Sequence, residues 1–208
     1  MNDVNLMRAV TDESLEKVRE LISLGANVNT MNDEELTPLL LSVGQESTEI
    51  TQELIVAGAD VNVEYRDPEN STLIVTPLFV AVDVGCLTTV QALLKAGANP
   101  NKPVASDSGL TLLFIAAENG DTAIVQALIN AGADVNCVVR DEESKNPAAG
   151  VTLLMAAVAA HRADIVELLL AAGADTTVKN ENGLTALDIA LLMEDPIVIE
   201  LLQKHVAK

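Results

Sequence analysis

INAGADVNCVV (residues 129–139) closes a helical-looking run with the phrase Gly-Ala-Asp-Val-Asn and passes at once into extended, β-branched chain. Close copies stand at 23–30 (SLGANVNT), 56–63 (VAGADVNV), 95–102 (KAGANPNK) and 171–178 (AAGADTTV). Their glycines, Gly25, Gly58, Gly97, Gly132 and Gly173, lie 33, 39, 35 and 41 residues apart. A second phrase answers each of them: TPLLLSV from Thr37, TPLFVAV from Thr76, TLLFIAA from Thr111, TLLMAAV from Thr152 and TALDIAL from Thr185. From each of the first four threonines to the next phrase glycine the distance is always 21 residues, whereas from glycine to the following threonine it is 12, 18, 14, 20 and 12. A unit of fixed length therefore recurs, and all the irregularity is confined to the connections.

The chemistry of the fixed part is that of two short helices. Thr37-Pro38 and Thr76-Pro77 set a capping hydroxyl ahead of a residue suited to the first helical position. Val18, Val90, Val125 and Val166 precede Leu21, Leu93, Leu128 and Leu169 by three places, which lines one helical face. Small residues, Ala9, Ser42, Ala81, Ala116, Ala157 and Ala190, recur where successive helices must approach closely. Each phrase glycine falls where the second helix should end in a left-handed conformation. No such unit can bury its apolar face alone, so stability should be a sum over neighbouring interfaces.

Composition agrees. Half of the 208 residues are apolar, yet one Tyr, two Phe and no Trp leave a core of small aliphatic contacts. The longest uncharged apolar stretch, 146–161, is short and broken by Pro147 and Gly150, so no membrane span is expected. The first residues show no basic segment leading into an apolar one, so no secretion signal is expected, and the spacing of Cys86 and Cys137 suggests neither a disulfide framework nor a zinc site. A reducing cytoplasm is the expected location. The net charge of −19 makes nucleic acid and anionic membranes poor partners and would steer in a basic protein surface. The same charge would equally serve to keep an apolar-rich chain soluble.

With its paired phrases the chain resembles the ankyrin repeat family, whose unit runs close to Gly-x-Thr-Pro-Leu-His, two short helices, and Gly-Ala-Asp-Val-Asn. The resemblance covers essentially the whole chain. It implies an all-α repeat protein, a solenoid of helix-turn-helix units with projecting β-hairpin fingers, forming one domain over 1–208. About six repeats are expected, near 1–30, 31–63, 64–102, 103–137, 138–178 and 179–208. The outer two read as caps: Val4 replaces the threonine beside polar Asn2, Asp3 and Asn5, and Gln203 takes a slot that is Ile or Leu elsewhere. The family's histidine after Pro-Leu is here Leu40, Phe79, Phe114, Met155 and Asp188, so packing should replace its hydrogen bonding in the middle repeats. The glycine that ends the first helix survives as Gly85 and Gly120 but becomes Glu46, His161 and Glu194, so those turns are expected to differ in shape.

Proteins of this kind bind other proteins through the fingers and the concave helix face. The connections after Asn62, Asn101 and Asn136 exceed the shortest by 6, 2 and 8 residues. Loop insertions cost little entropy, so length alone shows no function. The first long finger carries Tyr65 and Arg66, residue types that dominate interface energetics. The other long finger carries Arg140 and the triplet Asp141, Glu142 and Glu143, either a solvated tip or a cradle for a partner's Lys or Arg. On the concave face the resemblance points to Asp83, Val84, Glu118, Asn119, Ala159, Ala160, Leu192 and Met193. The last four would form an exposed apolar patch unless Leu192 and Met193 fold beneath the C-terminal cap.

Catalysis has no constellation to rest on. His161 sits at a turn, His205 near the C-terminus, and neither shares a repeat register with a cysteine; every Gly phrase is used to end a helix rather than to hold phosphate. The acidic triplet lacks the alternating spacing of a calcium loop. The expected function is thus a non-catalytic, monomeric protein-binding module, an adaptor, scaffold or inhibitor, with no cofactor or metal. An accessory or protective subunit of an enzyme, or a bacterial effector that binds a host protein, is the alternative.

Overall fold

The computed structural model describes residues 2–66, 72–105, 109–139 and 150–206. These fall into two compact units, Met1–Pro100 and Asn101–Lys208. The first unit holds three antiparallel helix pairs: α1 (Asn2–Thr11) with α2 (Leu15–Ser23), α3 (Pro38–Gly44) with α4 (Thr48–Val56), and α5 (Pro77–Asp83) with α6 (Leu87–Lys95). Between the second and third pairs, β1 (Tyr65–Arg66) runs antiparallel to β2 (Ile74–Val75). In the second unit α7 (Leu112–Asn119) pairs with α8 (Thr122–Asn130), α9 (Leu153–Ala159) with α10 (Ala163–Ala171), and α11 (Ala186–Leu192) with α12 (Pro196–Val206). A second hairpin, β3 (Val138–Val139) with β4 (Val151–Thr152), precedes α9. Within each unit the first helices stack on one another, α1 on α3 on α5 and α7 on α9 on α11, and the second helices stack alongside.

The helix starts follow the threonines. The hydroxyls of Thr37, Thr76, Thr111, Thr152 and Thr185 accept the N–H three residues on at 3.1–3.3 Å. Val18, Val90, Val125 and Val166 are fully buried, as are Leu93, Leu128 and Leu169, while the small residues Ala81, Ala116 and Ala190 are sealed between helices. Where the repeats put Ser42 and Thr51 in the core, the Thr51 hydroxyl donates to Ser42 at 2.9 Å and Ser42 donates to the Leu39 carbonyl at 3.0 Å. Leu40, Phe114 and Met155, at the family's histidine position, are buried apolar contacts. Asp188 instead closes a capping box with Thr185.

The turns without glycine keep the shape of those that have it. Gly85 and Gly120 have φ of 76° and 80°, and Glu46, His161 and Glu194 take 58°, 55° and 53° at the same place. The expected difference in turn shape is therefore absent: the helix pairing fixes the left-handed turn, and the side chain accepts the strain. Relief of that strain sets an expected result. Glu46→Gly and Glu194→Gly, both at exposed sites, should each raise the unfolding free energy by about 1 kcal/mol in urea titration, reduced by the extra chain entropy of glycine. His161→Gly should gain less, because the His161 ring holds Asp195 at 2.9 Å.

The recurrent phrase is explained residue by residue. Its alanines, Ala26, Ala59, Ala98, Ala133 and Ala174, are buried, as are Val28, Val61 and Val135. Asp60, Asp134 and Asp175 accept the N–H two residues on at 2.8–2.9 Å, which folds the chain back after the helix. The final asparagine reaches forward. Asn29 donates its amide to the Gly58 carbonyl at 3.3 Å, and its oxygen accepts the Asp60 N–H at 2.7 Å. Asn62 does the same with Gly97 and Asn99, and Asn101 with Gly132 and Asp134. Asn136 accepts the Asp175 N–H at 2.8 Å. These asparagines are rungs tying each pair to the next within a unit.

Candidate functional site

The connections of shortest length are built by one asparagine each. Asn32 accepts the N–H groups of Glu34 and Leu36, and Asn180 accepts those of Asn182 and Leu184, all at 2.8–3.0 Å. The longer ones become hairpins. In the first, Tyr65 stands opposite Val75 and is half-buried, while Arg66 is exposed with its guanidinium 3.7 Å from the Glu64 carboxylate. In the second, Val138 pairs with Thr152 and Val139 with Val151. Arg140, Asp141, Glu142 and Glu143 lie outside the described residues. The connection of intermediate length is closed by the Val104 N–H to the Leu110 carbonyl at 3.2 Å, with Val104 buried beneath it.

At the ends of the first helices, Asp83 and Val84 are exposed in the first unit, and Glu118, Asn119, Ala159 and Ala160 in the second. Leu192 is 70% exposed and Met193 41%, so neither folds beneath the last helix. Glu118 and Ala160 come together: with Ala117, Ala156 and Arg162 they line a shallow depression of about 40 Å³. In the first unit the corresponding position is Gln45, half-buried, whose amide donates to the Thr11 carbonyl at 3.2 Å.

Arg162 carries no role in the sequence reading, yet it organises this edge. Its guanidinium donates to the Gly120 carbonyl and the Thr122 hydroxyl, each at 3.1 Å, and to Asp164 at 2.7 Å. Thr122 in turn donates to Asp164 at 2.7 Å. Hydrogen bonding from Arg162 chiefly, with Thr122 and the Ile165 N–H, holds the Asp164 carboxyl far below the usual carboxylate range. The same logic applies at the neighbouring turn, where His161 bonds Asp195 and draws its pKa down. A sequence signal existed: an Arg stands where the other repeats place Ser14, Ser47, Cys86, Asp121 and Asp195.

The thiols face hydroxyls rather than bases. Cys86, at the start of α6, lies 3.2 Å from the Thr89 hydroxyl and 3.9 Å from that of Thr48. Burial pushes the Cys86 thiol up, but the Thr89 and Thr48 hydrogen bonds together bring it below its ordinary value. Burial holds Cys137 above it, although Thr111 lies 3.3 Å away. Among the described residues, no group of three or more His, Cys, Asp or Glu side chains is placed to hold a metal, and no helix is long and apolar enough to cross a membrane. What the edge offers is surface: exposed aliphatic groups beside carboxylates, held on rigid helix ends.

The sequence profile of ankyrin repeats matches in three overlapping copies, at residues 6–104, 69–139 and 113–208. Among solved structures, an ankyrin repeat domain from Acinetobacter baumannii AYE is similar with a TM-score of 0.79 and 26% identity, over 96% of this chain and 96% of that one. A second ankyrin repeat protein is similar with a TM-score of 0.72 and 28% identity, over 97% of this chain and 98% of that one. No curated protein matches the sequence. Ankyrin repeats are general protein–protein interaction modules, and by its matched repeats and its capped helix pairs this chain belongs to the ankyrin repeat family.

Proposed function

We propose that the chain is a non-catalytic binding module for a protein with a basic or amphipathic surface, engaged through the long fingers and the exposed ends of the first helices. The observation that carries this reading is the exposure of Leu192 and Met193, at 70% and 41%, beside exposed Ala159 and Ala160 in a chain of net charge −19. Apolar groups left open on rigid elements favour association, and the surrounding carboxylates favour cations on the partner. Arg66 and half-buried Tyr65 supply the contact types expected of a finger. Two free thiols are in keeping with a reducing, cytoplasmic setting.

The test compares affinity capture by the parent chain with two variants. One carries Ala160→Glu and Met193→Glu; the other has the connections after Asn62 and Asn136 cut to the shortest length. A partner held by the parent should be lost from the first variant by about tenfold or more in affinity, and weakened in the second. Circular dichroism should stay helical in both, since Ala160 and Met193 are exposed and the trimmed connections lie between helix pairs, not within a helix. Equal capture by all three would overturn the reading.

A further inference from the structure

The small depression between α7 and α9 has a carboxylate at its rim that nothing in the chain uses. It is lined by the methyl groups of Ala117, Ala156, Ala157 and Ala160 and by buried Leu153, and its volume is about 40 Å³. At roughly 10–15 Å³ for each water-sized group, that is room for about three such groups, enough for a run of methylenes and too little for an aromatic ring. Because α11 packs on the far side of α9, the depression lies within the stack. Arg162 walls one side with its charge already engaged. Its Nε and Nη2 donate to Asp164 at 2.9 and 2.7 Å, and Nη2 also donates to the Gly120 carbonyl and the Thr122 hydroxyl. That wall is neutral as a pair. Glu118 is the opposite case: it is exposed at the end of α7 and has no hydrogen bond or ion pair among the described residues.

The combination is particular to this pair of helices. The slot of Glu118 holds Gly44, Asp83, Ala159 and Leu192 in the other repeats, and the slot of Arg162 holds Ser47, Cys86, Asp121 and Asp195. An apolar trough of a few atoms, closed by a neutral wall and ending at a free carboxylate, matches a side chain with an aliphatic stem and a cationic head. We infer that this depression takes a lysine or arginine side chain of the partner, its stem lying on the alanines and its cation meeting Glu118. The inference rests on the proposed function and deepens it, by fixing where the cation of a basic or amphipathic partner sits. The partner's apolar groups are then left to exposed Leu192 and Met193, on the other side of α9.

Nα-acetyl-lysine N-methylamide is the probe, titrated into the full chain labelled with nitrogen-15 at about 0.15 M salt, where exposed charges farther apart than about 8 Å are screened. The norleucine analogue, with the same stem and no charge, is the control. The lysine probe should give saturable shifts at the amides of Glu118, Ala156 and Ala160, and bind about threefold or more tightly than the norleucine probe. Glu118→Gln should bring the two probes to nearly equal affinity. Ala160→Leu, which fills the depression, should weaken both. Both altered residues are exposed, and circular dichroism checks that the variants stay folded. Four results would overturn the inference: no saturable shift, lysine shifts centred on other carboxylates, equal affinity of the two probes for the parent, or a lysine preference that survives Glu118→Gln. Any of these, with partner capture still lost in the Ala160→Glu and Met193→Glu variant, would leave the proposed function standing and this inference alone refuted.

Discussion

Alanine at both Asn29 and Asn62 is expected to lower the unfolding free energy by about 2–4 kcal/mol. Each side chain bridges two helix pairs of the first unit with both ends of its amide: a donor on the Gly58 or Gly97 carbonyl and an acceptor for the Asp60 or Asn99 N–H. Truncation removes two hydrogen bonds per rung and leaves the partner groups to water. The double change should depart from additivity, because Asp60 joins the two rungs: its N–H bonds Asn29 and its carboxylate accepts the Asn62 N–H. Asn62→Asp is the sharper probe. It keeps the acceptor for Asn99 but sets a carboxylate against the Gly97 carbonyl, 3.1 Å from the present donor, so it should fail to rescue stability at neutral pH. Chemical denaturation of the single and double variants decides the matter. A double variant as stable as the parent would mean that the rungs are surface decoration.

These rungs mark the limit of what the sequence makes legible. The threonine caps, the helix-ending glycines and the small residues between helices could be read because each acts within its own repeat or at a fixed spacing of 21 residues. Asn29, Asn62 and Asn101 are as regular, but their partners lie one repeat on, across connections of different length. Regularity showed that the residue mattered and not what it touched. At Glu46, His161 and Glu194 local propensity pointed the wrong way, because packing on both sides of the turn outweighs the preference of one residue for φ below zero. Of the positions expected to face a partner, Asp83, Val84, Glu118, Asn119, Ala159, Ala160, Leu192 and Met193 all reach solvent. Arg162 was missed because its role depends on Gly120, Thr122 and Asp164, and only the first two belong to the preceding repeat's turn.

The other large effect is expected at Gly109, where backbone conformation and crowding act together. Gly109 has φ of 69°, and a Cβ there would stand 2.5 Å from the Val138 carbonyl oxygen, which belongs to β3 of the long hairpin. Neither atom is the free end of a side chain, so the chain must move. Gly109→Ala should therefore cost about 2–4 kcal/mol, the left-handed penalty plus either the overlap or the displacement that relieves it. Gly58→Ala is the matched control, with φ of 88° and nothing within 4 Å of the added carbon. It should cost about 1 kcal/mol, the conformational part alone. Hydrogen exchange separates the two ways Gly109→Ala can be accommodated. If β3 yields, the pairing of Val139 with Val151 opens and the amides around it exchange faster, while the helix pairs keep their protection. If β3 holds, the whole second unit loses stability in the urea titration. A cost equal to that of Gly58→Ala, with unchanged exchange at β3, would mean that Gly109 does not support the hairpin. If the fingers engage a partner as proposed, a finger displaced in this way should bind it more weakly, which ties the packing beneath the hairpin to the surface it presents.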